Sequence, residues 1–195
     1  AQLDVLLPQV DLGSEPVSDT HLTLPASVDL DDGGTIIDDG EELITTVTLT
    51  LSPNGPQETV VLGFSDPDGD GGNAPAFSTT GTLVADANYM GQISFGGPDG
   101  PIDAEIIDEG IDHQVFYQAS GGANLDFAYA TIGTDLNGLP IGLSTQLTTG
   151  AISSGELTII LRHEPNKMAA GIAIDNPSVA GGSTDVEVTF QVAVE

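Results

Sequence analysis

Apolar and polar residues alternate along the chain from Leu43 onward. Leu43, Thr45, Val47, Leu49 and Leu51 fall on one face of an extended segment, and Ile44, Thr46, Thr48 and Thr50 on the other. Ser52-Pro53-Asn54-Gly55-Pro56 then breaks the pattern with turn-forming residues, so 59–64 reads as the returning strand. The same reading predicts strands at 82–85, 89–95, 114–119, 125–132, 143–148 and 157–163. Near the end Val186, Val188, Phe190, Val192 and Val194 alternate strictly with Glu187, Thr189, Gln191 and Ala193. One buried and one wet face per strand is the mark of antiparallel sheets.

Helical patterning is scarce. The one good segment is 101–109, with Asp99 placed to cap it, Pro101 early, Asp103 and Glu105 near the positive end, and Gly110 to stop it. Elsewhere 25 Gly and 12 Pro punctuate short strands. The expected fold is therefore all-β: an antiparallel β-sandwich, immunoglobulin-like or jelly-roll, of about eight strands plus one short helix. A doubly wound α/β fold is disfavoured because no helical pattern recurs between strands.

Residues 1–40 differ. Their apolar alternations are short (Leu3, Val5, Leu7; Leu22, Leu24; Val28, Leu30) and are split by Pro8, Pro16 and Pro25 and by acidic turns. They read as an N-terminal acidic extension to a sandwich domain over 41–195. If such a segment packs at all, it does so against its own sandwich or a neighbouring molecule.

Composition narrows the function. The 195 residues hold 30 Asp+Glu against 2 Lys+Arg, a formal net charge of −28. Only Arg162 and Lys167 could neutralise phosphates, so nucleic acid is excluded as a partner, and an anionic membrane surface would repel the chain. No apolar run approaches the roughly 20 residues that cross a bilayer, so membrane insertion is not expected. Without cysteine there are no disulfides and no thiolate metal sites. Ala1 is followed by neither a basic region nor an apolar one, which leads to the expectation of an exported protein, extracellular or at the cell surface, with its signal peptide removed.

Two stretches carry candidate chemistry. Asp66-Pro67-Asp68-Gly69-Asp70-Gly71 resembles the first half of an EF-hand loop, with oxygen ligands at alternate positions and glycine at the sixth. The twelfth position is Phe77 rather than a bidentate Glu, so Asn73 or a distant acid would have to complete a calcium shell. The plain alternative is a polar turn. Arg162-His163-Glu164-Pro165-Asn166-Lys167 concentrates both strong cations beside a histidine. One reading is an ion-pair anchor in which Arg162 and Lys167 clamp Asp185 and Glu187 of the last strand. The other joins His163 with His113 and nearby acids into a transition-metal site, because imidazole and carboxylate suit zinc or copper. Calcium is the first cofactor expectation and zinc or copper the second. No cysteine nucleophile, nucleophile elbow or phosphate loop is present, so the chain is not expected to be an enzyme.

Glu41-Glu42-Leu43-Ile44-Thr45-Thr46-Val47, the block 66–75, Asp112-His113-Gln114, and the blocks 138–143, 161–167 and 181–190 together resemble a family of short, acidic, exported bacterial surface proteins, usually lipoproteins. The resemblance covers about 41–195. It implies export, a single β-rich domain and no established catalysis. The chain departs from the family in lacking a lipid-anchor cysteine and in carrying 40 extra residues at its start.

Two functions from different classes follow. In the first, Leu3, Val5, Leu7, Val10 and Leu12 add as a strand to the open sheet edge of a neighbouring subunit, building a homopolymeric surface filament by donor-strand complementation. In the second, the chain is a monomeric surface module that binds calcium or a transition metal, accessory to an outer-membrane receptor.

Overall fold

The computed structural model describes residues 43–69 and 72–195, together with the backbone of two short strands before them. By its contacts the chain divides into two units, Ala1–Asp39 and Gly40–Glu195. In the first unit β1 (Asp29–Leu30) and β2 (Ile36–Ile37) pair antiparallel, Asp29 opposite Ile37 and Leu30 opposite Ile36. Leu3, Val5, Leu7, Val10 and Leu12 lie outside the described residues, as does Asp70.

The second unit is all-β, and every ladder between its strands is antiparallel. Its elements run β3 (Thr46–Pro53), β4 (Val60–Ser65), β5 (Ala76–Thr80), β6 (Asn88–Gly97), β7 (Gly100–Pro101), α1 (Asp103–Asp108), β8 (His113–Ser120), β9 (Leu125–Tyr129), β10 (Ser144–Thr149), β11 (Ser153–His163), a 3-10 turn (Pro177–Val179) and β12 (Ser183–Val194). The larger sheet has the order β5-β4-β3-β6-β10-β9, with β7 also on β6, and the smaller one the order β12-β11-β8. Val47, Leu49 and Leu51 of β3 and Ile93 and Phe95 of β6 form one core with Leu157, Ile159 and Leu161 of β11 and Val188 and Phe190 of β12. The two sheets are thus the layers of a β-sandwich. Each fully buried Leu, Ile or Phe contributes about 1.5–3 kcal/mol, so the two alternating faces supply the main drive.

The β8–β9 side is closed by tyrosines. Tyr129 donates from its hydroxyl to the Val115 carbonyl (2.9 Å), Tyr117 to the Gly142 carbonyl (2.8 Å), and the Tyr117 ring stacks on Phe127 at 4.9 Å. Burial pushes both tyrosine hydroxyls up from their ordinary pKa, which keeps them as donors. Main-chain bonds from Val115 to Ile141 and from Tyr117 to Ile174 (both 2.8 Å) cover the outer edge of β8.

Among its described residues the unit has ten strands, β7 being only two residues long, within the antiparallel sandwich expected. Some details are corrected. Residues 82–85 form no strand: Leu83 alone is buried, and it makes a single parallel bridge to Val194 at the end of β12. β5 carries no alternation because all five of its residues are exposed, so periodicity does not reveal it. The helix is shorter than 101–109, and Asp99 does not cap it. The cap position is Ile102, and Asp103 instead accepts bonds from the Phe95 amide and the Ser94 hydroxyl (both 2.7 Å), tying the helix to β6. Among the described residues no helix is long and apolar enough to cross a membrane.

Candidate metal centre

His163 ends β11 on its inward face, because Leu157, Ile159 and Leu161 before it all point into the core. Antiparallel register places His113, the first residue of β8, directly opposite. The pair is buried, with 0% of His113 and 9% of His163 exposed. The rings meet edge to face with centroids 4.9 Å apart, and His163 Nδ1 stands 3.2 Å from His113 Nε2.

The third member arrives through an irregularity. β12 pairs regularly with β11 until Leu161 faces Val186; the next pair is Arg162 with Thr184, so Asp185 is the extra residue of a β-bulge. Strict alternation would leave Asp185 on the wet face with Glu187. A bulge re-aims a side chain and often does so beside functional sites. Here it turns the Asp185 carboxylate inward, with 0% of the side chain exposed and Oδ2 3.7 Å from His113 Nε2. The ligand atoms of His113, His163 and Asp185 all lie within 4.8 Å of one another.

One glycine makes this close approach possible. Gly182 has φ +70°, and a Cβ there would stand 2.0 Å from the His163 carbonyl oxygen and 2.9 Å from the Glu164 carbonyl carbon. No side chain fits between the end of β11 and the start of β12.

The surroundings of His113 orient its ring. Nδ1 lies 3.2 Å from the Glu109 carbonyl, which can only accept, so Nδ1 is the donor and Nε2 is the nitrogen turned into the site. Nε2 faces His163 and Asp185. Metal-bound histidines characteristically donate their other ring N–H to a backbone carbonyl or a carboxylate. Two nitrogens about 2.0–2.1 Å from a tetrahedral zinc stand about 3.3–3.4 Å apart, close to the 3.2 Å separation here. Two imidazoles and one carboxylate suit zinc or copper; calcium, which takes six to eight oxygens, is poorly matched.

The ion-pair anchor takes a different form from the one expected. Lys167 pairs with Asp135, not with Asp185 or Glu187: Nζ is 3.0 Å from Asp135 Oδ2, with side chains 4% and 1% exposed. Pro165 and Asn166 carry the chain away from β11, so Lys167 reaches the Asp135 turn and also donates to the Gly110 carbonyl. Arg162 donates from Nη1 to the Thr184 hydroxyl (2.7 Å), because the bulge sets Thr184 rather than an acid opposite it. Glu187 is exposed and stands opposite Ile160. Burial works to raise the Asp135 carboxyl, but the Leu139 amide and the Lys167 ammonium hold it below its ordinary value. Burial in turn pulls Lys167 below its ordinary value, against the attraction of Asp135.

In the Asp-rich loop, Asn73 donates from both its backbone and its side-chain nitrogen to Asp68 Oδ2 (3.2 and 2.8 Å), and these bonds hold the exposed Asp68 carboxyl below its ordinary value. Asp66 follows β4 and its Oδ1 is buried. Asn73 therefore acts toward Asp68 as a donor, which is a turn's arrangement.

The rarity of histidine draws attention to His113 and His163, whereas nothing in the sequence marks Asp185 as joining them. The available hint is local: Gly181-Gly182 immediately before an otherwise regular strand marks a site of close backbone approach. No protein family, characterised protein or solved structure is found to match this chain.

Proposed function

We propose that this chain is a non-enzymatic, exported surface module whose sandwich binds one zinc-class transition-metal ion through His113, His163 and Asp185. The observation that carries this reading is the buried His113–His163 pair, with His113 Nε2 turned by the Glu109 carbonyl toward a carboxylate that a β-bulge brings inward. Two further features support it. A chain with 30 acids and 2 strong bases draws cations to itself, and the interior position limits access to small ions rather than organic substrates.

Titration calorimetry with zinc, copper and calcium, run on the wild type and on His163→Ala, tests it. One equivalent of zinc or copper bound by the wild type and lost in the variant is expected. Absence of transition-metal binding, or binding unchanged in the variant, would overturn it.

A second reading has its own observation. On the side opposite the tyrosines, a cleft of about 520 Å³ lies between β4 and the C-terminal end of β12, lined by Val60, Leu62, Leu83 and Val192 among others. Next to it Phe77 of edge strand β5 is 53% exposed, its ring edge-on to Phe64 and Phe190. An edge with no partner strand among the described residues, beside a cleft with apolar residues in its lining, is where strand addition from a second copy would occur, and Leu3, Val5 and Leu7 have the matching period. Deleting residues 1–12 should then leave a folded protein that no longer polymerises in electron micrographs; polymers of the truncated chain would refute it.

A further inference from the structure

Lys167 is one of two strong bases in the chain, and it is buried although acids on the surface could have paired with it in water. Its Nζ holds two acceptors, the Gly110 carbonyl and Asp135 Oδ2. Asp135 is itself fixed, because its Oδ1 accepts the Asn137 and Leu139 amides at 2.8 and 2.9 Å. Gly110 follows Glu109, whose carbonyl accepts both the Asp112 amide (2.8 Å) and His113 Nδ1. The short helix thus ends in two consecutive carbonyls, one held by Lys167 and the next one back holding the histidine. The turn has little slack: a Cβ on Gly110 would stand 2.5 Å from Ile141 Cδ1 and 3.0 Å from the Ile107 oxygen.

We infer that Lys167 is a positioning residue of the metal centre: by anchoring the Gly110 carbonyl to the Asp135 turn it fixes the neighbouring Glu109 carbonyl, which holds His113 Nδ1 as its donor and keeps Nε2 aimed at His163 and Asp185. This inference rests on the metal-site reading. Lys167 touches no ligand atom; it acts through one peptide group. Loss of a partner that orients a metal-bound histidine typically weakens binding by 10- to 100-fold.

The test uses the full chain with Lys167→Met and, as a milder change that leaves the lysine in place, Asp135→Asn. Zinc affinity is read by competition with a chromophoric chelator, ligand geometry by the visible spectrum of the cobalt(II) form, and the His113 tautomer by imidazole ¹⁵N shifts in metal-free protein. The expected result is an Nδ1-protonated His113 in the wild type. Lys167→Met should shift the proton toward Nε2, alter the cobalt spectrum and weaken zinc about 10- to 100-fold, and Asp135→Asn should do the same to a smaller degree. A folded Lys167→Met protein with wild-type tautomer and affinity would overturn the inference. Should Lys167→Met not fold, an unchanged tautomer and affinity in Asp135→Asn would overturn it equally. If the wild type binds no metal, the metal-site reading fails, and the tautomer comparison still decides whether Lys167 positions His113.

Discussion

His163 Nδ1 stands 3.2 Å from His113 Nε2 across fifty residues of sequence, at the same end of two neighbouring strands. With the His113 proton directed to the Glu109 carbonyl, a bound cation would take the place of the hydrogen bond between the two rings. An ion that binds only the folded state stabilises it by about 2.7 kcal/mol at 100 times its Kd. For a domain of this size that corresponds to a rise in Tm of about 5–11 °C. Differential scanning calorimetry with zinc and then with a chelator should show the rise and its reversal. His163→Ala should show neither.

Asp185 should matter through its charge. Asp185→Asn preserves shape and one oxygen but removes the anion that offsets the metal, so zinc affinity should fall at least about tenfold, with the circular dichroism spectrum unchanged. Glu187→Gln, two residues away on the exposed face, should leave affinity as it is. Equal effects from the two substitutions would point to bulk surface charge instead of ligation.

Gly182→Ala should destabilise the metal-free protein. The added Cβ would meet backbone at 2.0 Å, where no flexible side chain can give way, and φ +70° is itself strained for alanine. A loss of about 1–3 kcal/mol is expected, read as a fall in the urea midpoint. Gly171→Ala is the informative control: its φ of +84° is also positive, but nothing lies within 4 Å of the added Cβ, so it isolates the backbone strain from the clash.

The Lys167–Asp135 pair makes stability depend on pH in a definite sense. Asp135 is held below its ordinary value of 3.8 in the folded protein, so its contribution is present above that value and disappears as pH falls through the lower folded one. Lys167 is also lowered in the folded state, from 10.5. As pH rises toward 10.5 the folded protein releases that proton first, so this group makes stability increase with pH on the alkaline side. Asp135→Asn should flatten the acid limb of the urea midpoint measured against pH; an unaltered acid limb would show that other carboxylates set it.

Much of the sandwich was legible in the chain. Thr45, Val47, Leu49 and Leu51 are buried as their alternation requires, because a strand with one buried face records that face as a period of two, although Leu43 of the same set is exposed and Ile44 of the other is buried; β6, β8, β11 and β12 each contain an expected segment and β10 overlaps one. β5 was not legible, since all of its residues are exposed and no period is imposed on them. His113 and His163 were singled out by their rarity, and register then made them neighbours.

Alternation and composition by themselves determined the all-β class, the inward faces and the strongly anionic surface, because each is a local or summed property of the residues. Tertiary structure alone decided that Asp185 joins the histidines, that Lys167 reaches Asp135, and that Glu109 fixes a tautomer. Those three contacts depend on a single extra residue in β12, on the path taken by Pro165 and Asn166, and on where a six-residue helix ends. A one-residue bulge reverses the side of the sheet on which a carboxylate emerges, and no periodicity records where such a bulge will fall.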